Sequence, residues 1–201
     1  MSKRVVFATG NKDKVKEASK ILGQLGVEVI PQSELGIKVD VDENGSSFAE
    51  NALIKARAVA SVCNEIVIAD DSGLVVDYIN GEPGIYSARY MGEDTSYTIK
   101  NANIIERLKD AVEQERSARF VAAIACVLPD GREFTALGTM EGFIAYEPAG
   151  DNGFGYDPIL FLKDYNMTSA ELSMEEKNKI SHRGKALRAM CEILKEQGLG
   201  E

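Results

Sequence analysis

The spacing of apolar positions changes several times along the chain, and each change marks an element. Arg4 to Ala8 is a short apolar run of strand length. From Lys12 to Leu25 the apolar or small residues fall at Val15, Ala18, Ile21, Leu22 and Leu25, which is helical spacing. A second helix is predicted from Ser46 or Ser47 toward Cys63, with Glu50 placed for a capping box on Ser47. Glu65 to Asp71 is too short for a helix and rich in branched residues, so it reads as a buried strand, and Gly73 to Asp77 as another. Thr95 to Leu108 predicts a third helix, with Asp94 or Thr95 as its N-cap. Two long strands, Arg119 to Leu128 and Glu133 to Ile144, are joined at Pro129-Asp130-Gly131, a strong hairpin signal. The glycine- and proline-rich EPAGDNGFGYDP (147 to 158) predicts a constrained loop. Ser173 to Glu176 is another capping-box signature, and a last helix runs from about Ser181 to Gln197 with Gly198 as its stop.

Strands and helices alternate early, a hairpin follows, and helices close the chain. That order predicts an α/β fold with a mixed sheet. With 201 residues and no repeat, linker or low-complexity segment, residues 1–201 read as one domain, or two lobes sharing a core.

Composition narrows the chemistry. At 44% hydrophobic and 27% charged the chain is of the ordinary globular class. No apolar stretch is long enough to span a bilayer and the N-terminus has no signal-peptide core, so a cytoplasmic protein without a membrane partner is expected. Cys63, Cys126 and Cys191 are widely separated, form neither a C-x-x-C pair nor a disulfide framework, and read as buried small hydrophobes. The net charge of −9 disfavours a polymeric nucleic acid as partner, because no basic cluster is longer than a few residues. Any phosphate handled here belongs to a small molecule, with a metal as intermediary.

Thr9-Gly10-Asn11-Lys12-Asp13-Lys14 sits where a strand gives way to a helix, a junction suited to phosphate because helix starts present N–H groups and positive potential. It has neither P-loop nor dinucleotide-fingerprint spacing, so an ordinary turn is the competing reading. DVDENG (40 to 45) opens like an EF-hand, but loop position 12 is Asn51 rather than Glu, and the preceding LGIKV reads as a strand rather than a helix. A calcium loop is therefore not expected. Asp70-Asp71-Ser72-Gly73 places two adjacent acids at the end of an apolar strand, where α/β sheets bind ligands and where carboxylates could hold magnesium. Lys14 and Lys55 lie on predicted helices, and His182, the one histidine, precedes Arg183 at a predicted helix start. Each alone reads as a solvated side chain.

Six segments in order change that assessment: ATGNKDK, FAENALIKA (48 to 56), IADDSGLVVD (68 to 77), PGIYSARY (83 to 90), EPAGDNGFGYDPIL (147 to 160) and EEKNKISHRGKAL (175 to 187). Together they resemble the inosine/xanthosine triphosphate pyrophosphatase family, over essentially the whole chain. The resemblance implies an elongated mixed sheet, two α/β lobes around a nucleotide-binding cleft, and a homodimer. It also implies Mg²⁺-dependent hydrolysis of non-canonical purine nucleoside triphosphates (ITP, dITP, XTP) to monophosphate and pyrophosphate. By position, Thr9, Gly10, Asn11, Lys12, Asp13 and Lys14 match the phosphate loop, and Glu43 and Asp71 the metal ligands. Asp71 also matches the proposed proton acceptor, a role Asp70 could share, while Lys14 and Lys55 complete the catalytic cluster. Ser72, Phe154, Gly155, Tyr156, Asp157, Lys177, His182 and Arg183 match substrate-binding positions. Gly150-Asp151-Asn152 stands where some relatives carry an aromatic residue, which leaves Phe154 to stack on the base. Two other readings are a Maf-type pyrophosphatase of modified pyrimidine nucleotides and a non-catalytic nucleotide-binding module. FGYDP and SHRG weigh against the first, and Glu43 with Asp71 against the second.

Overall fold

The computed structural model describes residues 4–39 and 41–199; Asp40, the first acid of DVDENG, lies outside the described residues. The elements are β1 Arg4–Phe7, α1 Lys12–Leu22, β2 Glu28–Pro31, α2 Phe48–Ala60, β3 Ile66–Val76, α3 Tyr97–Arg107, β4 Ser117–Val127, β5 Glu133–Ile144, β6 Leu160–Leu162, β7 Met167–Thr168, α4 Met174–Ile180 and α5 His182–Glu196. The strands form one seven-stranded sheet in the order β2-β1-β3-β4-β5-β6-β7. β1 runs parallel to both β2 and β3, whereas β6 is antiparallel to β5 and β7. The sheet is mixed and flanked by helices, as the order of elements predicts.

The chain divides into two compact units. The first takes the described residues up to Asp71, Ala122–Gly138 and those from His182 onward; the second takes Ser72–Val121 and Thr139–Ser181. In the first unit, strand alternation sorts the core into two layers. Val5, Phe7, Ile68, Ile124 and Cys126 face α1 and α5, meeting Ala18, Leu22, Leu187 and Met190. Val6, Val67, Ala69, Ala123 and Ala125 face α2, meeting Ala52, Ala56 and Val59. Strands covered on both faces carry continuous rather than alternating apolar sequence. The second unit has its own core, in which Leu74, Val76, Phe120, Met140 and Leu160 meet Ile104 of α3 and Leu108, its C-cap.

Four expectations change. Gly73 to Asp77 is not a separate strand, because β3 runs unbroken from Ile66 to Val76. LGIKV is not a strand: a 3₁₀ turn spans Gln32–Leu35, Gly36 leaves it at φ 68°, and Ile37 and Val39 pack as loop residues against the α2 layer. α3 is capped by Ser96 rather than Asp94 or Thr95, with Ser96 Oγ accepting from Ile99 N–H. The first helix ends at Leu22 and tightens into a 3₁₀ turn, Gly23–Leu25. Cys126 and Cys191 are buried, and all three cysteines are free thiols. Burial pushes the Cys126 thiol up to about 12, which fits an inert core residue.

α5 approaches β5 so closely that a glycine is required. A Cβ on Gly138 would collide with the His182 carbonyl oxygen and lie 2.6 Å from Ala186 N. Both are helix backbone, which cannot yield without moving the helix. Gly138→Ala is therefore expected to cost roughly 1–3 kcal/mol, the usual range for overpacking. Urea unfolding followed by circular dichroism checks this, and an unchanged midpoint would refute the contact.

Candidate active site

In the first unit the site is built where β1 ends and α1 begins. Thr9 Oγ1 accepts from Asn11 N–H at 3.1 Å, and Asn11, the N-cap of α1, accepts from Asp13 N–H at 2.9 Å and Lys14 N–H at 3.3 Å. The helix start is thus partly capped by its own side chains, and the expected cradle of free N–H groups is narrower than the sequence suggests. Gly10 has a different character. Its ideal Cβ meets nothing within 4 Å and its φ is not positive, so the fold itself does not demand glycine there. Its bare backbone borders a cavity of about 370 Å³ lined by Thr9, Asn11, Lys14, Glu43, Lys55 and Asp70. Lys12 and Asp13 are exposed and do not line this cavity; Lys12 borders a neighbouring one.

Asp70 and Asp71 are adjacent on β3 and so project to opposite faces of it. The Asp70 side chain, at 0% exposure, is ion-paired with Lys14 of α1 and accepts from Arg183 Nε of α5 at 3.0 Å. Arg183 Nη1 also donates to Glu17 of α1 at 3.0 Å. Burial alone would raise the pKa of Asp70, but Arg183 and Lys14 override it and hold the carboxyl well below the usual carboxylate range. A carboxylate so held is a poor proton acceptor. Asp70, which the resemblance offered as sharing the work of Asp71, sits ion-paired between Lys14 and Arg183.

On the other face of β3, Lys55 Nζ bridges Glu43 Oε2 at 2.9 Å and Asp71 Oδ1 at 3.1 Å. Asp71 Oδ2 is buried and accepts no hydrogen bond among the described residues. Burial pushes the Asp71 carboxyl up and Lys55 pulls it down; the Glu43 carboxylate beside it pushes it up again, to about 6. Two carboxylates therefore converge around one cation, the Lys55 ammonium, with a lone pair left over. Oxygen donors of this kind suit a hard cation, and magnesium is commonly bound by one or two carboxylates with water and phosphate completing its shell. Among the described residues no group of three or more His, Cys, Asp or Glu could hold a metal. The residues fit a magnesium ion that relies on other oxygens, and do not fit a closed protein cage.

The second unit holds the FGYD segment. Asp157 Oδ2 accepts from Phe154 N–H at 2.9 Å and from Lys177 Nζ at 2.5 Å, and its Oδ1 accepts from Ser169 Oγ at 2.7 Å. Tyr156 is buried, donates its hydroxyl to Ser87 O at 2.7 Å and meets Tyr97 edge to face. Asn101 Nδ2 fastens Gly155 O at 3.1 Å. Tyr156 and Asp157 are held by bonds within this unit, while Phe154 is 43% exposed with the Lys177 ammonium 5.7 Å from its ring centre. Ser72 is half-buried on β3, and His182 is the buried first residue of α5. Sequence reasoning overlooked Glu17, Asn51, Asn101 and Ser169. Asn51 alone left a trace, as the amide standing at loop position 12 counted from Asp40.

An α/β sheet with a capped strand-to-helix loop, two lysines and two converging carboxylates defines a class, and sequence comparison specifies it. A Ham1 family profile matches residues 5–193. The dITP/XTP pyrophosphatase of Desulforamulus reducens is 47% identical over 191 residues, 95% of each chain. That of Bacillus subtilis is 45% identical over 192 residues, 96% of this chain and 97% of its own. Among solved structures, the Staphylococcus aureus Ham1 protein matches with a TM-score of 0.89 and 42% identity, covering 97% of this chain and all of its own. The Coxiella burnetii HAM1 protein matches equally well, with a TM-score of 0.89 at 40% identity over 96% of this chain and 99% of its own. This chain belongs to the Ham1 family.

The depressed pKa of Asp70 makes stability depend on pH. Its ion pairs contribute fully above the unfolded value of about 4 and are lost as pH falls toward the lower folded value. Asp70→Asn should cost about 3–5 kcal/mol at neutral pH, because it strands buried cations. Below about pH 4 the wild type should lose stability more steeply than the variant. Urea unfolding at a series of pH values checks both, and parallel pH profiles would contradict the assignment.

Proposed function

We propose that this chain hydrolyses non-canonical purine nucleoside triphosphates (ITP, dITP and XTP) to the nucleoside monophosphate and pyrophosphate, with Mg²⁺ as cofactor. The observation that carries the reading is the Glu43–Lys55–Asp71 bridge, with an Asp71 oxygen that has no hydrogen-bond partner among the described residues, in the unit whose polar cavity is bordered by Thr9, Gly10, Asn11 and Lys14. The dITP/XTP pyrophosphatase relatives, at 45–47% identity over nearly the whole chain, support it.

The chain's own residues divide the work. Glu43 and Asp71 would hold the cation, which when bound would supply Lewis acidity and positive charge. Asp71 cannot serve equally as ligand and base, and its converging geometry with Glu43 favours the ligand role. Lys14, aimed by Asp70, and Lys55 offset the charge that builds on a departing pyrophosphate, and the bare backbone at Gly10 lets a phosphate approach closely. Phe154 presents a ring for stacking, with Lys177 beside it. Hypoxanthine and xanthine carry a 6-oxo acceptor where adenine carries an amino donor. Donors from His182 and Arg183 aimed at that position would disfavour ATP by leaving polar groups unpaired. A homodimer in the cytoplasm belongs to the same proposal.

Product analysis with Mg²⁺ across ITP, dITP, XTP, GTP, ATP and dTTP tests the reading. Monophosphate plus pyrophosphate from the first three, with little from the rest, is expected. Orthophosphate release would overturn the reaction, and turnover confined to pyrimidines would favour the Maf-type alternative. Asp71→Asn should lower kcat by at least roughly 10²-fold with its melting transition intact; retention of most turnover at saturating Mg²⁺ would remove Asp71 from the site. Arg183→Ala also leaves Asp70 and Glu17 short of a cation, so kinetics are read per folded molecule; KM for ITP should rise more than kcat falls, and the reverse would assign Arg183 to the transition state.

A further inference from the structure

In the DVDENG segment, where the sequence predicts no calcium loop, Gly45 is in contact with Asn51, the residue at loop position 12. Asn51 of α2 is fully buried, and its Oδ1 accepts from Gly45 N–H at 2.8 Å. Because the partner is a backbone donor, the atom facing it must be the amide oxygen. A Cβ on Gly45 would lie 2.7 Å from that oxygen and 3.0 Å from Asn51 N, so the loop backbone is pressed onto α2 as closely as glycine permits. The neighbouring residues continue the attachment. Ser46 N–H and Oγ both donate to Glu50 Oε2, at 2.7 and 2.8 Å, and Ser47 caps the helix by accepting from Glu50 N–H at 3.1 Å. Glu43 lies two residues upstream of the fastened glycine.

Asn51 and Lys55 are four positions apart on α2 and therefore share a face. One grips the loop by its backbone, and the other grips Glu43 by its carboxylate. These holds differ in permanence. A divalent cation accepted by Glu43 and Asp71 would compete with the Lys55 ammonium for the same oxygens, whereas the amide of Asn51 is directed elsewhere. Asn51 also carries a cost. Its Nδ2 is buried with no hydrogen-bond partner among the described residues, a defect that an alanine would avoid. An unsatisfied buried amide calls for an explanation, and the one at hand is the hold of its oxygen on Gly45 N–H.

We infer that Asn51 is a positioning residue: through Gly45 it holds the Glu43 loop at the spacing a divalent cation requires, before and after Lys55 is displaced. This rests on reading Glu43 and Asp71 as the cation's ligands. The probe is Mn²⁺, with free ion counted by electron paramagnetic resonance in the presence of the full-length protein. Wild type should bind Mn²⁺. Asn51→Ala should weaken binding roughly 10-fold or more, as loss of a ligand-orienting hydrogen bond does elsewhere. Excess Mg²⁺ should restore most of its turnover of ITP, raising KM for the metal with little change in kcat. Gly45→Ala keeps the amide but not the fit, so it should weaken Mn²⁺ binding in the same direction, and it serves if Asn51→Ala does not fold. A role in folding alone would lower the melting temperature and leave Mn²⁺ affinity per folded molecule within twofold of wild type, which would overturn the inference. Absence of Mn²⁺ binding by wild type would instead overturn the ligand reading, and this inference with it.

Discussion

One buried carboxylate organises the first unit. The Asp70 side chain is fully buried, and a charge in that position is tolerable only when matched. It is matched by Lys14 and Arg183, and Arg183 is matched in turn by Glu17, so the quartet of two acids and two bases is neutral. Lys14 and Glu17 stand three apart on one face of α1, Asp70 comes from the middle of β3 and Arg183 from the start of α5. Three elements distant in sequence are thereby registered against each other by charge, in a layer otherwise held by non-directional apolar packing. The loop from Thr9 to Asn11, suspended between β1 and α1, inherits its position from that registration.

The opposite face of β3 uses the same device with a different balance. Glu43 and Asp71 surround a single ammonium, and the acids outnumber the base two to one. Burial and mutual repulsion push Asp71 up, while Lys55 keeps the pair from drifting apart. Lys55 is thus an internal counter-ion. Asp70 stands between two cations instead, which is why two neighbouring residues of one type have such different chemistry.

Much of this was legible in the sequence where a signal is local. The hairpin at Pro129-Asp130-Gly131, the capping box at Ser173 and the amphipathic α5 all announce themselves within a few residues. β2 escaped because it has four residues and ends in Pro31 at the edge of the sheet, where proline is tolerated but strand patterning is faint. LGIKV misled because branched residues look alike whether they bury from a strand or from a loop. In the site, Asp70-Asp71 was visible as an oddity, but not which acid did what. That depends on Arg183, over a hundred residues later, and on Glu17, which reads as one more surface acid on a helix. Asn51 shows the same limit from the other side: its meaning lies in a loop that folds back onto its helix.

The alternation along β3 also bears on how this protein can change over evolutionary time. Side chains around Asp70 and Asp71 can drift, one at a time, while their partners adjust. The length of the strand before them cannot. Adding or removing a single residue there would turn the acid meant for Lys14 and Arg183 toward Lys55, and its neighbour into the neutral quartet. Both charge balances would fail at once, with no single compensating substitution to restore them. Tolerated insertions and deletions should therefore gather in turns such as the one between β4 and β5, while the six-residue approach from Ile66 to Asp71 behaves as a ruler whose divisions are fixed.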